Sequence, residues 1–316
     1  MYPEKKIPII IDCDTGIDDL LALLLAVQSP LLDILGATTT AGNQTIENTT
    51  RNTLDALEFL GRPDIPVAVG RDRPLYRNVL AQGSIHGANG VGGYRFPAAK
   101  RTPDHRVAPE FVRDLLADCP DKVTLVALAP LTNIAVLLDK YPACKERIDK
   151  ILFMGGSIAT GNPTPVATAN VWYDPDAARA VIASGIPVVM CSLNCSRGAY
   201  LTKAELAKVR GVGGPAAAMA DEVLKAYYAT TGGQNPRGLN IHDLCTMMYL
   251  TDPGMFTGDW YFVDVECKGE LTCGMTVVDY EDRLHKPREE KTVYFLKTAD
   301  RDRFADNFFR ALKSYG

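Results

Sequence analysis

The chain has 316 residues, 47% apolar and 23% charged, a balance that allows a large buried core and excludes a disordered or fibrous protein. A net charge of −4 without any long basic tract argues against nucleic acid as a partner and leaves a small neutral or cationic substrate. No apolar run is long enough for a membrane span, and the polar start from Met1 to Lys6 has no leader-like apolar core behind it.

Ile7 to Ile11 is a continuous apolar run, as expected of a parallel strand covered on both faces. A helix is predicted from Asp18 to Gln28, ended by Ser29-Pro30. Its apolar stretch from Leu20 to Val27 is too short for a membrane helix and reads as buried. Leu32 to Thr40 is the next strand. Ile46 to Leu60 is the next helix, with Gly61 as its stop. Further strands are predicted at Pro66 to Val69, Val123 to Ala127, Ile151 to Met154 and Pro187 to Leu193. Helices are predicted at Leu131 to Leu138 and Pro175 to Ala183.

The last third changes character. Pro215 to Thr230 reads as a long helix. Tyr261 to Cys267, Leu271 to Asp279 and Thr292 to Leu296 alternate with period 2, as strands of an antiparallel edge do. Arg301 to Lys313 is a closing amphipathic helix. The expected fold is α/β and Rossmann-like: a mainly parallel open sheet with helices on both faces and antiparallel edge strands near the C-terminus. No repeat or linker interrupts residues 1–316, so one domain is expected.

Eight cysteines are scattered without a Cys-x-x-Cys pair, so neither a zinc site nor a disulfide framework is expected. Buried reduced thiols in a cytoplasmic protein are the natural reading.

The strongest chemical signal is Asp12-Cys13-Asp14-Thr15-Gly16-Ile17-Asp18-Asp19, placed between a buried strand and a helix. Ligands of open α/β sheets bind outside the carboxyl ends of strands. Carboxylates this close repel one another, and a hard divalent cation relieves that repulsion; all-oxygen ligation selects calcium or magnesium. Helix capping accounts for one or two of these aspartates but not for four. Polar residues recur after other strands: Thr38-Thr39-Thr40-Ala41-Gly42-Asn43, then Asn162 and Asn170 after Met154-Gly155-Gly156. A single asparagine is usually a turn or cap; several at successive strand ends point to a polar ligand. His86 lies in a glycine-rich stretch ending at Gly93, and His242 precedes Asp243. His105 and His285 stand among charges and read as surface residues.

Together these residues resemble the inosine-uridine-preferring nucleoside hydrolase family. The fingerprint is Asp12-x-Asp14-x-Gly16-x-Asp18-Asp19. Gly42-Asn43, Ile85-His86-Gly87, Leu131-Thr132-Asn133, Met154-Gly155-Gly156, Asn170, Asp174-Pro175, His242-Asp243 and Gly274-Met275-Thr276-Val277 follow in the family's order. The resemblance implies calcium-dependent hydrolysis of the N-glycosidic bond of ribonucleosides. It implies a calcium ion held by Asp14, Asp19, Asp243 and a backbone carbonyl at Leu128, with Asp14 also the general base. It implies ribose contacts from Asp18 and Asn170 with Asn43 and Asn162 nearby, and His86 and His242 facing the nucleobase, His242 assisting its departure. A homodimer or homotetramer is implied as well.

Three departures stand out. Thr168 occupies a substrate-facing position where many members carry a Glu for the 5′-hydroxyl. Leu193-Asn194-Cys195-Ser196-Arg197 replaces Asp-x-Thr-His. Gly232-Gly233 lies where some purine-active members place an aromatic; Tyr227 and Tyr228 are close, and Tyr228 is the aromatic expected beside the base. Two other readings compete: a haloacid-dehalogenase-like magnesium phosphatase with Asp12 as nucleophile, and a non-catalytic calcium-dependent ribose- or nucleoside-binding protein.

Overall fold

A computed structural model of the chain describes residues 5–78, 84–232 and 235–316. The polar start at Met1 and the position of Gly233 lie outside these residues. Strand β1 (Ile7–Cys13) turns into helix α1 (Ile17–Gln28). The alternation continues through β2 (Leu32–Thr39), α2 (Ile46–Phe59), β3 (Val67–Val69), α3 (Ala108–Asp118), β4 (Val123–Ala127), α4 (Thr132–Lys140) and β5 (Ile148–Met154). Next come α5 (Ala169–Tyr173), α6 (Pro175–Ile182), β6 (Val188–Cys191), α7 (Leu193–Ser196), β7 (Tyr200–Leu201), α8 (Lys203–Leu206) and α9 (Gly214–Thr231). The chain closes with β8 (Leu239–Asn240), α10 (His242–Thr251), β9 (Phe256–Tyr261), β10 (Val263–Val265), β11 (Thr276–Val278), β12 (Val293–Ala299) and α11 (Arg301–Lys313).

Eight strands form one sheet in the order β3-β2-β1-β4-β5-β6-β12-β9. Every neighbouring pair is parallel except β12 and β9. The α/β, mainly parallel architecture expected from the sequence is therefore present. One expectation within it is corrected. The alternation places Thr292 to Leu296 at an antiparallel edge; β12 does pair antiparallel with β9, but it lies inside the sheet, parallel to β6 on its other side, and β9 is the edge strand. Period-2 alternation reveals a half-buried strand and not its neighbour. Of Leu271 to Asp279 only Thr276–Val278 is a strand, paired with β10 in a separate two-stranded ribbon.

Pleating sends alternate residues of β1 to opposite faces. Ile9 and Ile11 join an apolar cluster with Leu244 and Met247 of α10 and Phe304 and Phe308 of α11. Ile10 joins the other cluster, with Phe111 of α3, Leu137 of α4 and Val181 of α6. Helix α1 is buried from Ile17 to Ala26 because α2, α9, α10 and α11 surround its outer face. Among the described residues no helix is long and apolar enough to cross a membrane.

Strand order reverses between β1 and β4, so their carboxyl ends diverge into a crevice. Asp174, fully buried, braces the flank of this crevice. Its Oδ2 accepts from the Leu75 amide at 2.9 Å and from the Thr132 hydroxyl at 2.7 Å, while its Oδ1 caps α6 by accepting from the Ala177 amide at 3.1 Å. Asp174→Ala removes a cap and strands two buried donors, so it is expected to cost about 2–4 kcal/mol of unfolding free energy. Asp174→Asn, which keeps an acceptor oxygen, should cost less. Denaturant titration checks both; equal losses would show that the carboxylate's bonds are not what matters.

Candidate active site

The fingerprint turn fills the crevice. Asp12, buried one residue before the end of β1, accepts at its Oδ1 from the Thr38 hydroxyl at 2.6 Å and from Asn133 Nδ2 at 2.7 Å. Asn133 also donates to the Thr39 carbonyl and accepts from the Arg71 amide, tying α4 to the ends of β1 and β2. Asp12 thus serves as a brace, locked away from the cavities described below. Burial pushes its carboxyl up to about 6. This placement removes the basis for reading it as a phosphatase nucleophile.

Asp14 and Asp19 meet around one amide. The Asn43 backbone donates to Asp14 Oδ2 at 2.6 Å, and Asn43 Nδ2 reaches Asp14 Oδ1 at 3.2 Å and Asp19 Oδ2 at 3.1 Å. Asp19 also accepts from the amides of Gly16 at 2.9 Å and Asp14 at 3.3 Å, so it does cap α1. Two glycines permit this crowding. A Cβ on Gly42 would lie 2.0 Å from Asp14 Oδ2, and one on Gly16 would lie 2.8 Å from both Asn43 Nδ2 and His86 Nδ1.

Asp243, at the start of α10, arrives from the far side of α1. Carboxylate oxygens of Asp18, Asp19 and Asp243 all lie within 4.8 Å of one another. Asp18 Oδ1 is buried without a hydrogen-bond partner. Burial, then the neighbouring aspartates, hold Asp14 and Asp243 well above the usual carboxylate range and push Asp19 up to about 7. An orphaned buried oxygen beside an all-oxygen, mutually repelling donor set fits a hard metal cation. Of the expected ligand set, Asp19 and Asp243 sit in this triplet with Asp18. Asp14 joins it through Asn43. The Leu128 carbonyl, at the end of β4, accepts from Asn170 Nδ2 at 2.6 Å.

Two cavities flank the cluster. One, of about 190 Å³, is lined by Asp14, Asn43, His86, Asn170 and Tyr173. The other, of about 280 Å³, is lined by Asn162, Arg197, Tyr227, Asn240 and His242. His86 is held by the Ile17 amide, which donates to its Nδ1 at 3.1 Å, and its loop is pinned by Gln44 and Asn52. Because Nδ1 accepts that bond, its 3.8 Å approach to Asp18 is not an ion pair. His86 stacks on Tyr227, with ring centroids 5.4 Å apart. Burial lowers the imidazole pKa of both His86 and His242. His105 and His285 are exposed, as expected.

Two expected substrate contacts are placed elsewhere. Thr168 is buried, and its hydroxyl accepts from the Gly156 amide at 2.9 Å, so it braces the loop instead of facing a cavity. Tyr228 lies beneath the Lys203 ammonium and against Gly232, while Tyr227 lines the cavity. Successive residues of a helix point about 100° apart, so only one of the pair can face the site. The buried phase of Ala220, Val223 and Leu224 would have singled out Tyr227. Asn162 lines the larger cavity, its Oδ1 accepting from the Ala169 amide at 2.9 Å. The departing segment at Asn194 and Arg197 straps that loop: Asn194 bonds both backbone groups of Ile158, and Arg197 donates to Thr160 and Gly161. Behind His242, the thiols of Cys191, Cys195 and Cys245 cluster within 4.8 Å; all eight cysteines are free.

Residues 9–306 match the inosine-uridine preferring nucleoside hydrolase family. A pyrimidine-specific ribonucleoside hydrolase RihA from Klebsiella pneumoniae is 39% identical over 98% of this chain and 99% of its own length. Among solved structures, a purine-preferring ribonucleoside hydrolase from Gardnerella vaginalis is 30% identical, with a TM-score of 0.90 over 98% of both chains. A plant nucleoside hydrolase is 29% identical, with a TM-score of 0.92 over 98% of this chain and 99% of that one. A match of this extent leaves no room for the phosphatase reading, which rested on Asp12-x-Asp14 alone. The chain therefore belongs to the inosine-uridine preferring nucleoside hydrolase family, and it is a ribonucleoside hydrolase, an enzyme that cleaves the N-glycosidic bond.

Proposed function

We propose that this chain is a calcium-dependent hydrolase of pyrimidine ribonucleosides, yielding ribose and free base. The observation that carries the metal and sugar part of this reading is the convergence of Asp14, Asp18, Asp19 and Asp243 with Asn43 and Asn170 at one crevice. The base preference rests on the relatives at about 40% identity, which are pyrimidine-specific. An assembly of two or four copies, and a reducing compartment that keeps the eight cysteines free, belong to the same reading.

Asp14, Asp19, Asp243 and the Leu128 carbonyl are the groups assigned to the ion. When bound, a calcium ion supplies Lewis acidity toward water and the vicinal ribose hydroxyls. Asp14 takes the proton of the attacking water, a role for which a buried carboxylate with raised basicity is suited. Asp18 and Asn170 receive the ribose hydroxyls and so orient the sugar for attack at C1′. Cleavage builds positive charge on the sugar, and the surrounding carboxylates stabilise it. His242, on the wall of the larger cavity, serves the leaving base, and Tyr227 and His86 offer stacked ring surfaces beside it.

The test is ribose release from uridine, cytidine, inosine and adenosine, with and without chelator. Uridine and cytidine should be cleaved faster than the purine nucleosides, chelation should abolish release, and calcium should restore it. Tight nucleoside binding without ribose release would instead make the chain a binding protein. Full activity after chelation would remove the metal.

Asp14→Asn should lower kcat by about 10²–10⁴-fold through lost proton transfer. A turnover near wild type would take Asp14 out of the base role.

The aspartate cluster also predicts how stability depends on pH. Asp12 and Asp19 have folded pKa values of about 6 and about 7, above the ordinary value of 3.8. A raised folded pKa means the native state binds protons more tightly than the unfolded chain. Metal-free protein should therefore be most stable below pH ~4 as regards these groups, and lose that stability as pH rises to about 7. Calcium should raise the melting temperature more at pH 8 than at pH 5, because it competes with protons for the same oxygens. A calcium shift independent of pH would contradict this origin.

A further inference from the structure

We infer that the larger cavity selects an anionic substrate, a ribonucleoside whose carboxylate or phosphate group is held by Arg197 and Arg237. The inference rests on the reading above that ribose sits beside Asp14 and Asn170, and it narrows the class of nucleoside.

The walls of the cavity set its preference. Asn162, Arg197, Asn235, Arg237 and Asn240 line it, and no carboxylate stands among its described lining residues. The three asparagines have their oxygens committed. Asn162 Oδ1 accepts from the Ala169 amide at 2.9 Å, and Asn235 Oδ1 accepts from the Arg237 amide at 3.0 Å. Asn240 Nδ2 donates to the Ser196 and Ala199 carbonyls at 3.0 and 2.9 Å, so its Oδ1 is the atom that accepts from Asn235 Nδ2 at 2.9 Å. A backbone N–H only donates and a carbonyl only accepts, so these partners fix which way each amide faces. Asn162 Nδ2 is left without a partner among the described residues. Arg197 donates to the Thr160 hydroxyl and the Gly161 carbonyl; Arg237 donates to the Arg197 carbonyl and lies over the Tyr200 ring at 4.9 Å. All these partners are neutral. Each guanidinium has five N–H groups, so both keep donors to spare and a charge with no counterion in the wall. What the asparagines and arginines still offer is N–H, and its complement is an oxyanion.

The sugar brings such a group within reach. The two cavities adjoin across the His86–Tyr227 stack, with His86 lining the smaller and Tyr227 the larger. In a β-ribonucleoside the base and C5′ leave the same face of the ring, opposite the 2′ and 3′ hydroxyls. A ribose that turns those hydroxyls to the aspartates therefore presents base and C5′ together toward the larger cavity. An oxyanion on either, a carboxylate on the pyrimidine or a phosphate at C5′, meets Arg197, Arg237 and Asn162 Nδ2. Guanidinium forks match both groups in shape as well as in charge. A neutral pyrimidine nucleoside leaves the two charges unused.

The test has a binding arm and a kinetic arm, both on the calcium-loaded enzyme. Calorimetry compares ribose with ribose 5-phosphate and uracil with 6-carboxyuracil, ligands that contain no bond to cleave. Kinetics compare uridine with uridine 5′-monophosphate and 6-carboxyuridine. In at least one pair the anion should bind about tenfold more tightly than its neutral counterpart, and the matching nucleoside should exceed uridine in kcat/KM by a similar factor. The pair that responds identifies whether the oxyanion belongs to the base or to C5′. Because both guanidinium groups are exposed, the ratio should fall as salt is raised. Arg197→Gln and Arg237→Gln should each reduce it to about threefold or less, and Arg237→Lys should keep more of it than Arg237→Gln. Uridine cleavage without preference for either anion would overturn the inference alone. A preference that survives in both glutamine variants would overturn it too, since the attraction would then come from the metal. Tight, arginine-dependent oxyanion binding without ribose release from any nucleoside would support the oxyanion site and overturn the reaction proposed above.

Discussion

The rest of the structure answers one electrostatic constraint: Asp14, Asp18, Asp19 and Asp243 are buried together where β1 and β4 diverge. Carboxylates out of water and within a few ångströms of each other destabilise the fold unless something offsets them. Part of the offset is visible as hydrogen bonds. Asn43 bridges Asp14 and Asp19, and the amides of Gly16 and Asp14 cap Asp19. Asp18 Oδ1 receives none of this relief. The remaining repulsion is what a cation or shared protons must neutralise, and a site that needs a cation is also one that can hold one beside a sugar.

Much of the surrounding architecture keeps this cluster in place. Gly16 and Gly42 exist as glycines because a side chain at either would collide with Asn43, His86 or Asp14. Asn133 and Asp12 clamp the ends of β1, β2 and α4, and Asp174 does the same for α4, α6 and the loop at Leu75. These residues are polar and buried; Asn133 and Asp174 each satisfy two backbone groups, and Asp12 is held by the side chains of Thr38 and Asn133. They brace the crevice without facing it.

The departing segment after β6 has a coherent physical role. Asn194 and Arg197 fasten the loop that carries Asn162, and Ser196 fastens His242. One turn of helix thus couples the far wall of the cavity to the histidine on its near wall. The hydroxyl of Thr168 secures the same loop from beneath, at Gly156.

Local chemistry was legible in the sequence. A buried strand, a glycine-bearing turn and a helix start adjoin in the chain, so Asp12, Asp14, Asp18 and Asp19 had to gather at one strand end. The alternation of apolar runs and helical patterns likewise required a parallel sheet. What the sequence could not decide was partnership over distance. Period-2 alternation did not say that β12 lies inside the sheet beside β6. Two adjacent tyrosines looked equivalent until the rotation of α9 turned Tyr227 to the cavity and Tyr228 beneath Lys203. Thr168 matched a substrate position by order in the chain, yet a loop amide claimed its hydroxyl. Ser196 meets His242 across 46 positions, and Asp243 meets Asp18 and Asp19 only because α10 packs on α1. Such contacts depend on which elements become neighbours, and that is settled by burying the two faces of the sheet and not by any residue's own surroundings in the chain.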